Sequence, residues 1–277
     1  LIMENKILSV IIVNFNQENF LFNNLCSLRG EVSHLRSEVI VIDNNSKVCP
    51  WERVKSIGIQ DLKFIANKKN LGLSKAVNQG IKLSSGKYIL ILNPDIRVKK
   101  GALEKMIRFL EENPKVGLIG PKLVYADESI QYSARRYPCF LDLFLNRSVF
   151  KKTKWAQNRL NRYFLKDKDL TKPCPVPWVL GAALMVRKEA IKEVGLMDER
   201  FFLYFEDVDW AYRFWQKGWE VWYFPYAEMV HFYQRLSDKG SIILSLFSPL
   251  FWIHLSSAFK FYCKVFFKRK KYGKTNF

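Results

Sequence analysis

Four short stretches of the chain carry side chains that could do chemistry. Leu92-Asn93-Pro94-Asp95 closes an apolar run. A carboxylate one residue away from a second oxygen donor can grip a divalent cation, which in turn holds a diphosphate. Asn-Pro-Asp is also an ordinary turn. Glu206-Asp207-Val208-Asp209 sets three carboxylates within four positions. One of them beside a hydroxyl can act as a general base; the same residues also suit a helix N-cap and its dipole. If Asp207 opens a helix, Glu206 and Asp209 point elsewhere, so one or two carboxylates can share a pocket. Asn70-Leu71-Gly72-Leu73 places a glycine just ahead of a helical pattern. There, backbone N–H groups can face a phosphate or a ribose, or simply cap the helix. His231 follows an apolar stretch and reads as a metal ligand or as a packed core imidazole.

The elements that must position these residues follow from the periodicity. Apolar, β-branched runs predict strands over residues 7–13, 38–42, 62–66, 88–92 and 179–186. Helical spacing predicts helices over 18–28, 73–83, 101–112 and 207–217, the third stopped by Asn113-Pro114. Strand and helix alternate with short connections, which implies a doubly wound parallel sheet. Ligands of such sheets bind beyond the carboxyl ends of the strands. The polar residues at those ends are Asn14, Asp43 and Asn93 with Asp95. Residues 137–176, rich in basic and aromatic residues, read as a variable insertion.

With 49% hydrophobic and 26% charged residues over 277 positions, a packed core is expected and disorder is not. The formal net charge of +19 favours an anionic partner such as nucleic acid, acidic lipid or a phosphorylated small molecule, or else a solubilising surface. The basic residues are spread out, with a cluster in the tail, and no nucleic-acid recognition module is present, so no nucleic-acid partner is expected. Five scattered cysteines without CxxC spacing argue against a disulfide framework and a zinc site. They point to a reducing compartment. The first residues show no secretory-signal pattern, so a cytoplasmic location is expected.

Taken in order, these pieces resemble the family 2 glycosyltransferases with a GT-A fold. The matching text is Ser9-Val10-Ile11-Ile12-Val13-Asn14, Val41-Ile42-Asp43-Asn44-Asn45-Ser46, and Asn70-Leu71-Gly72 through Asn78-Gln79-Gly80-Ile81. It continues with Leu92-Asn93-Pro94-Asp95, Trp178-Val179-Leu180-Gly181-Ala182 and Phe205-Glu206-Asp207-Val208-Asp209. Together with Arg135-Arg136 before Tyr137-Pro138 and a late His231, it looks most like the rhamnosyltransferase branch. The resemblance implies a nucleotide-diphosphate sugar donor and a saccharide or lipid-linked acceptor. Asp43 would hydrogen-bond the base or ribose of the donor, with Asn14, Asn45, Asn70 and Gly72 lining the nucleoside site. Asp95, with Asn93 nearby and possible help from His231, would hold Mg²⁺ or Mn²⁺. Asp207 would deprotonate the acceptor, giving inversion at the anomeric carbon, with Glu206 close to the acceptor. Trp178 would support the acceptor sugar or pack as a buried strand-start aromatic. The family's metal motif usually has two aspartates, and Asn93 stands at the first. The Gln-x-x-Arg-Trp signature of processive members is absent, so single-sugar addition is implied.

The expected fold is therefore α/β, a GT-A type doubly wound, mostly parallel sheet flanked by helices. The catalytic domain spans residues 1–237, with a basic amphipathic helical tail over 238–277. Residues 241–259 carry no Asp, Glu, Lys or Arg, but Pro249, His254 and several serines lower their apolarity below that of a spanning helix. Lys260, Lys264, Lys268 and Lys271 share one helical face. That face is expected to lie on the anionic inner surface of the cell membrane, or else the helix packs on the catalytic domain. A nucleotidyltransferase is disfavoured, because Asn14-Phe15-Asn16-Gln17 stands where its Gly-rich basic loop belongs. A homologue that binds the donor without turnover and, less favoured, a basic nucleic-acid-binding protein are the remaining alternatives.

Overall fold

A computed structural model describes residues 6–147, 149–232 and 248–272. The chain first lays down β1 (Leu8–Asn14), α1 (Glu18–Val32), β2 (Ser37–Asp43), α2 (Trp51–Lys55), β3 (Leu62–Ala66), α3 (Leu73–Leu83) and β4 (Tyr88–Leu92). Next come β5 (Ile96–Val98), α4 (Ala102–Glu112), β6 (Val116–Val124), β7 (Ile130–Gln131), β8 (Ala134–Arg135), α5 (Phe140–Arg147) and α6 (Lys154–Tyr163). Last are β9 (Cys174–Pro175), β10 (Trp178–Val179), β11 (Ala183–Arg187), α7 (Lys188–Val194), α8 (Glu206–Gln216), β12 (Glu220–His231) and α9 (Pro249–Tyr272).

The main sheet has the order β3-β2-β1-β4-β11-β6-β12-β5. Its first four strands are parallel, and β1, β2 and β4 are buried almost throughout, as crossover helices on both faces require. β11 runs antiparallel between β4 and β6, and β5 runs antiparallel to β12. The expected α/β architecture is present, with these reversed strands mixed into a parallel sheet. The strand expected over 179–186 is two strands, β10 and β11, separated by a turn at Leu180–Ala182. The insertion expected over 137–176 holds α5 and α6. β6 was masked in the sequence by Gly117, Gly120 and Pro121, residues that usually punctuate strands. Pairing with β12 on one side and β11 on the other decides its conformation.

The tail corrects an expectation. Ala258 and Phe261 of α9 are buried in the same core as α8. The Lys264 ammonium lies 2.9 Å from Asp198 and 2.5 Å from Asp209, and Lys260 donates to the Arg200 carbonyl at 2.9 Å. These two lysines therefore turn toward the catalytic domain, because buried carboxylates there need a counter-charge. Trp252, Leu255, Phe259 and Phe266 face outward instead, 39–63% exposed. No helix among the described residues is long and apolar enough to cross a membrane. Most of the uncharged stretch before α9 (residues 241–247), and the side chains of Lys268 and Lys271, lie outside the described residues.

At the end of the sheet opposite the strand carboxyl ends, Glu38 is 1% exposed. It accepts hydrogen bonds from the Ser9 hydroxyl at 2.7 Å and the Ser85 N–H at 2.6 Å, and pairs with Lys63 at 2.6 Å. Burial pushes the carboxyl's pKa up, but the bonds from Lys63, Ser9 and Ser85 outweigh it and hold the value down at about 2. Because the folded pKa is depressed, this stabilisation is present above about pH 4.5 and is lost as pH falls toward about 2. Glu38→Gln should therefore lose less stability than the parent, by about 2–3 kcal/mol, in urea unfolding between about pH 5 and about pH 2. Equal losses would remove Glu38 from this role.

Candidate active site

Asn14 ends β1 and Asp43 ends the neighbouring β2, so parallel pairing sets them side by side. The Asn14 amide donates to the Asp43 carboxylate at 2.8 Å. The Ser46 backbone N–H and hydroxyl donate to the same carboxylate at 3.0 and 2.6 Å. Asp43 is thereby fixed at the rim, 2% exposed. Asn45 is exposed, with φ of 69°, and makes the turn rather than the wall of the site. The wall residue is its neighbour Asn44, which sequence reasoning passed over. Asn44 is 2% exposed and donates to the Asn70 side chain at 2.8 Å. It also accepts from the Leu71 N–H at 3.0 Å. Asn70 in turn accepts from the Gly72 N–H at 2.9 Å. At Gly72, φ is +82°, and a Cβ would come within 2.6 Å of Phe202. Only glycine lets the loop enter α3 while touching the segment before α8.

Asp95 lies just past β4, and His231 is the last residue of β12. The pairing of His231 with Ile96 brings the two together. His231 Nε2 is 3.3 Å from an Asp95 carboxylate oxygen, and Nδ1 is 2.7 Å from the Gln131 side-chain oxygen. With Nδ1–H donating to Gln131, the Nε2 lone pair faces Asp95, the tautomer a metal ligand needs. The second Asp95 oxygen is buried and has no hydrogen-bond partner among the described residues. A carboxylate beside an imidazole lone pair is a poor contact without a cation, so these two side chains fit a divalent ion. No cluster of three or more His, Cys, Asp or Glu ligands occurs among the described residues. The site would thus be completed by oxygens of a phosphorylated ligand and water, as magnesium-type sites are. Asn24 buttresses the turn, donating to the Asn93 and Ile96 carbonyls at 3.0 and 2.7 Å. The Asn93 N–H donates to the Ala182 carbonyl at 2.9 Å, which ties this turn to the one before β11.

That second turn holds Asp207. The Gly181 N–H donates to the Asp207 carboxylate at 2.8 Å, and the Val208 N–H donates to its other oxygen at 2.8 Å. A Cβ on Gly181 would sit 3.1 Å from Asp207, so a side chain there would crowd the carboxylate. Tyr204 and Phe205 both have positive φ, 67° and 68°, immediately before α8. Bulky residues pay strain for that conformation, which aims the start of α8 at the rim. Glu206 and Asp207 are both buried, and one Glu206 oxygen has no partner among the described residues. Burial, then the Asp207 charge, pushes the Glu206 carboxyl up to about 8. Burial raises Asp207 as well, against the bonds from Gly181 and Val208 and the charge of Arg135. The third carboxylate, Asp209, pairs with Arg213 and Lys264 instead and anchors the helix.

Trp178 takes the second of its two readings. It is 4% exposed, and its indole N–H donates to the Arg136 carbonyl at 2.8 Å. The Arg135 guanidinium lies over its ring at 5.4 Å. Gln131 gave no local signal, while Arg135 and Asn44 stood in quoted motifs without a role of their own; each acts through a partner distant in sequence.

Comparison with known proteins bears on the family and the fold. The family model described as Glycosyl transferase family 2 matches residues 9–195. An N-acetylglucosaminyl-diphospho-decaprenol L-rhamnosyltransferase of Mycobacterium tuberculosis is 26% identical over 236 residues, covering 81% of this chain and 76% of that protein. A rhamnosyltransferase of Escherichia coli is 24% identical over 260 residues, covering 91% of each. Among solved structures, a GalNAc transferase with UDP, GalNAc and Mn²⁺ is similar with a TM-score of 0.60 at 18% identity. A mannosyltransferase from Pyrobaculum calidifontis with GDP-Man and Mn²⁺ gives 0.57 at 14%. These cover 84% and 85% of this chain, which spans 45% and 59% of theirs; they share the GT-A fold.

The carboxylate pair makes a measurable prediction. Since Glu206 is raised to about 8, the fold binds a proton there that the unfolded chain has released, and stability contributed by it falls as pH rises from about 4.5 to about 8. Infrared titration should show a protonated carboxyl persisting at about pH 7 and missing in Glu206→Gln. Complete ionisation by about pH 6 would contradict the burial argument.

Proposed function

This chain belongs to glycosyl transferase family 2 and is a glycosyltransferase; from that premise we propose that it transfers one sugar, of the rhamnose type, from a nucleoside-diphosphate donor to a hydroxyl of a saccharide or lipid-linked acceptor. The names of the two rhamnosyltransferases it resembles support the sugar, and the first of them supports a diphospho-lipid acceptor. The setting is assembly of a cell-surface polysaccharide. One observation carries the reading. The Asp95–His231 pair and the Asp207 carboxylate hang from adjacent turns, joined by the Asn93–Ala182 and Gly181–Asp207 hydrogen bonds.

In this reading Asp43 and Asn14 bind the nucleoside, and the Asn44–Asn70–Gly72 loop closes its other side. Asp95 and His231 would hold Mg²⁺ or Mn²⁺, with Asn93 beside them, and a cation held there would offset charge on the leaving diphosphate. Asp207 takes the proton of the acceptor hydroxyl. Its raised pKa makes it a stronger base than a free carboxylate. The acceptor oxygen attacks the anomeric carbon from the face opposite the diphosphate, so configuration inverts. Glu206, protonated near neutral pH, leaves a single charge in the pair and offers a hydrogen bond to the acceptor. The buried Trp178 supports Arg135 rather than a sugar.

The outward stripe of α9 supports peripheral attachment to the inner face of the cell membrane, where a lipid-linked acceptor is presented. At 100° per residue, Trp252, Leu255, Phe259 and Phe266 fall within roughly 60° of arc, with Lys268, Arg269, Lys270 and Lys271 following in sequence.

A screen of UDP-, dTDP- and GDP-sugars should reveal metal-dependent nucleotide release with a lipid-linked acceptor and an inverted product. Asp207→Asn should keep donor affinity and lose turnover about 10²-fold or more. Asp95→Ala and EDTA should each abolish activity, and full activity in EDTA would take the metal out of the mechanism. Separately, Trp252→Glu with Phe259→Glu should release the full chain from phosphatidylglycerol vesicles in co-sedimentation. Undiminished binding would assign membrane contact to another surface.

A further inference from the structure

A cavity of about 420 Å³ opens between α5, α6 and the segment after β8. Its walls include Arg136, Arg159, Arg162, Asp142, Trp155 and Tyr163. Three arginines thus stand against two carboxylates, Asp142 in the wall and Asp167 paired with Arg136. Two of them are held in place: Arg136 by a fork–fork pair with Asp167 at 2.8 Å, and Arg159 by Asp142 at 2.6 Å. The third, Arg162, has no carboxylate partner among the described residues. It is exposed, while its own carbonyl accepts the Arg136 guanidinium. Arg162 acts on Asp167 only through its charge; an arginine cluster with one member outside any direct ion pair suits an oxyanion of planar, multidentate geometry, and phosphate above all.

The cavity is joined to the catalytic rim by short links. The Arg136 N–H donates to the Tyr163 carbonyl at 2.9 Å, and the Arg136 carbonyl receives the Trp178 indole at 2.8 Å. Trp178 begins the run that reaches Gly181 and its bond to Asp207. Tyr163 lines the cavity and lies close enough to Asp207 for the carboxylate's charge to act on its hydroxyl. At the mouth, Trp155 is 60% exposed and nearby Phe150 is 56% exposed, so apolar surface adjoins the cationic walls. Asp43, the last residue of β2, and Asn70, in the loop before α3, lie on the other half of the sheet.

We propose that this arginine-lined cavity binds the phosphate groups of the acceptor, which is therefore a sugar carried on a prenyl-type diphosphate. The assignment rests on the transferase reading and specifies its acceptor. The guanidiniums hold the acceptor's diphosphate, Trp155 and Phe150 meet the start of its hydrocarbon chain, and the sugar hydroxyl extends past Tyr163 toward Asp207.

The test keeps the donor site full, so that diphosphate cannot bind there. Protein saturated with Mn²⁺ and the nucleoside diphosphate selected by the donor screen is titrated calorimetrically with geranyl diphosphate and with geraniol. Geranyl diphosphate should bind and geraniol should not. Arg162→Ala should weaken the diphosphate about tenfold or more, and Arg162→Lys less, with nucleotide affinity and melting temperature unchanged. Absence of binding once the donor site is filled, or equal binding by Arg162→Ala, overturns the proposal. If Arg162→Ala instead weakens phosphatidylglycerol vesicle binding and leaves geranyl diphosphate untouched, the cavity serves a lipid headgroup and the acceptor assignment is overturned. Failure of the protein to bind any nucleotide would count against the transferase reading itself, which this design reads separately.

Discussion

Asp207 is buried at the start of α8, and a buried carboxylate needs donors wherever the fold can supply them. The fold supplies the Gly181 N–H, from a turn that is itself bonded to the turn bearing Asn93. That pair of bonds joins the two halves of the molecule at one rim. It requires glycine at 181, because a Cβ there would crowd the carboxylate. It also requires the unusual backbone at Tyr204 and Phe205, which turns the chain sharply into α8. Loops are free to carry such strain because the sheet beneath them is fully packed.

The same burial sets the electrostatics. Two adjacent carboxylates in a low-dielectric setting do not both ionise readily, so their pKa values rise and separate. Asp207, with two N–H donors and the Arg135 charge, takes the first negative charge; Glu206 keeps its proton. Asp209, two residues farther along, pairs with Arg213 and Lys264 instead. Lys264 thereby makes α9 part of the support for α8, and turns the helix so that its aromatic stripe faces outward.

How much of this the sequence disclosed depends on how local each signal is. Continuous apolar, β-branched runs located β1 to β4, and helical spacing located α1, α3, α4 and α8, because those elements carry their own pattern. Asp43, Asp95 and Asp207 stood out because the ordered motifs of the resemblance contain them; alone, Asp95 and Asp207 also fit a turn and a helix start. Asn45 was preferred to Asn44, and only the left-handed turn at Asn45 shows that its neighbour points inward. Gln131 contacts His231 across 100 positions, and nothing near Gln131 announces it. β6 and β12 form through each other, so neither could be read alone. The lysines of α9 were read as meeting a bilayer or the catalytic domain, because helical spacing gives the face of a residue but not what that face meets; Lys260 and Lys264 meet the domain.

The central claim is that one rim holds the nucleotide, its metal and the general base together. A crystal structure of the protein with Mn²⁺ and a nucleoside diphosphate tests it most directly. The claim requires the ion on Asp95 and His231, the base against Asp43 and Asn14, and the Asp207 carboxylate facing the outer phosphate across space for a sugar. A nucleotide bound elsewhere, or an ion away from Asp95, would contradict it.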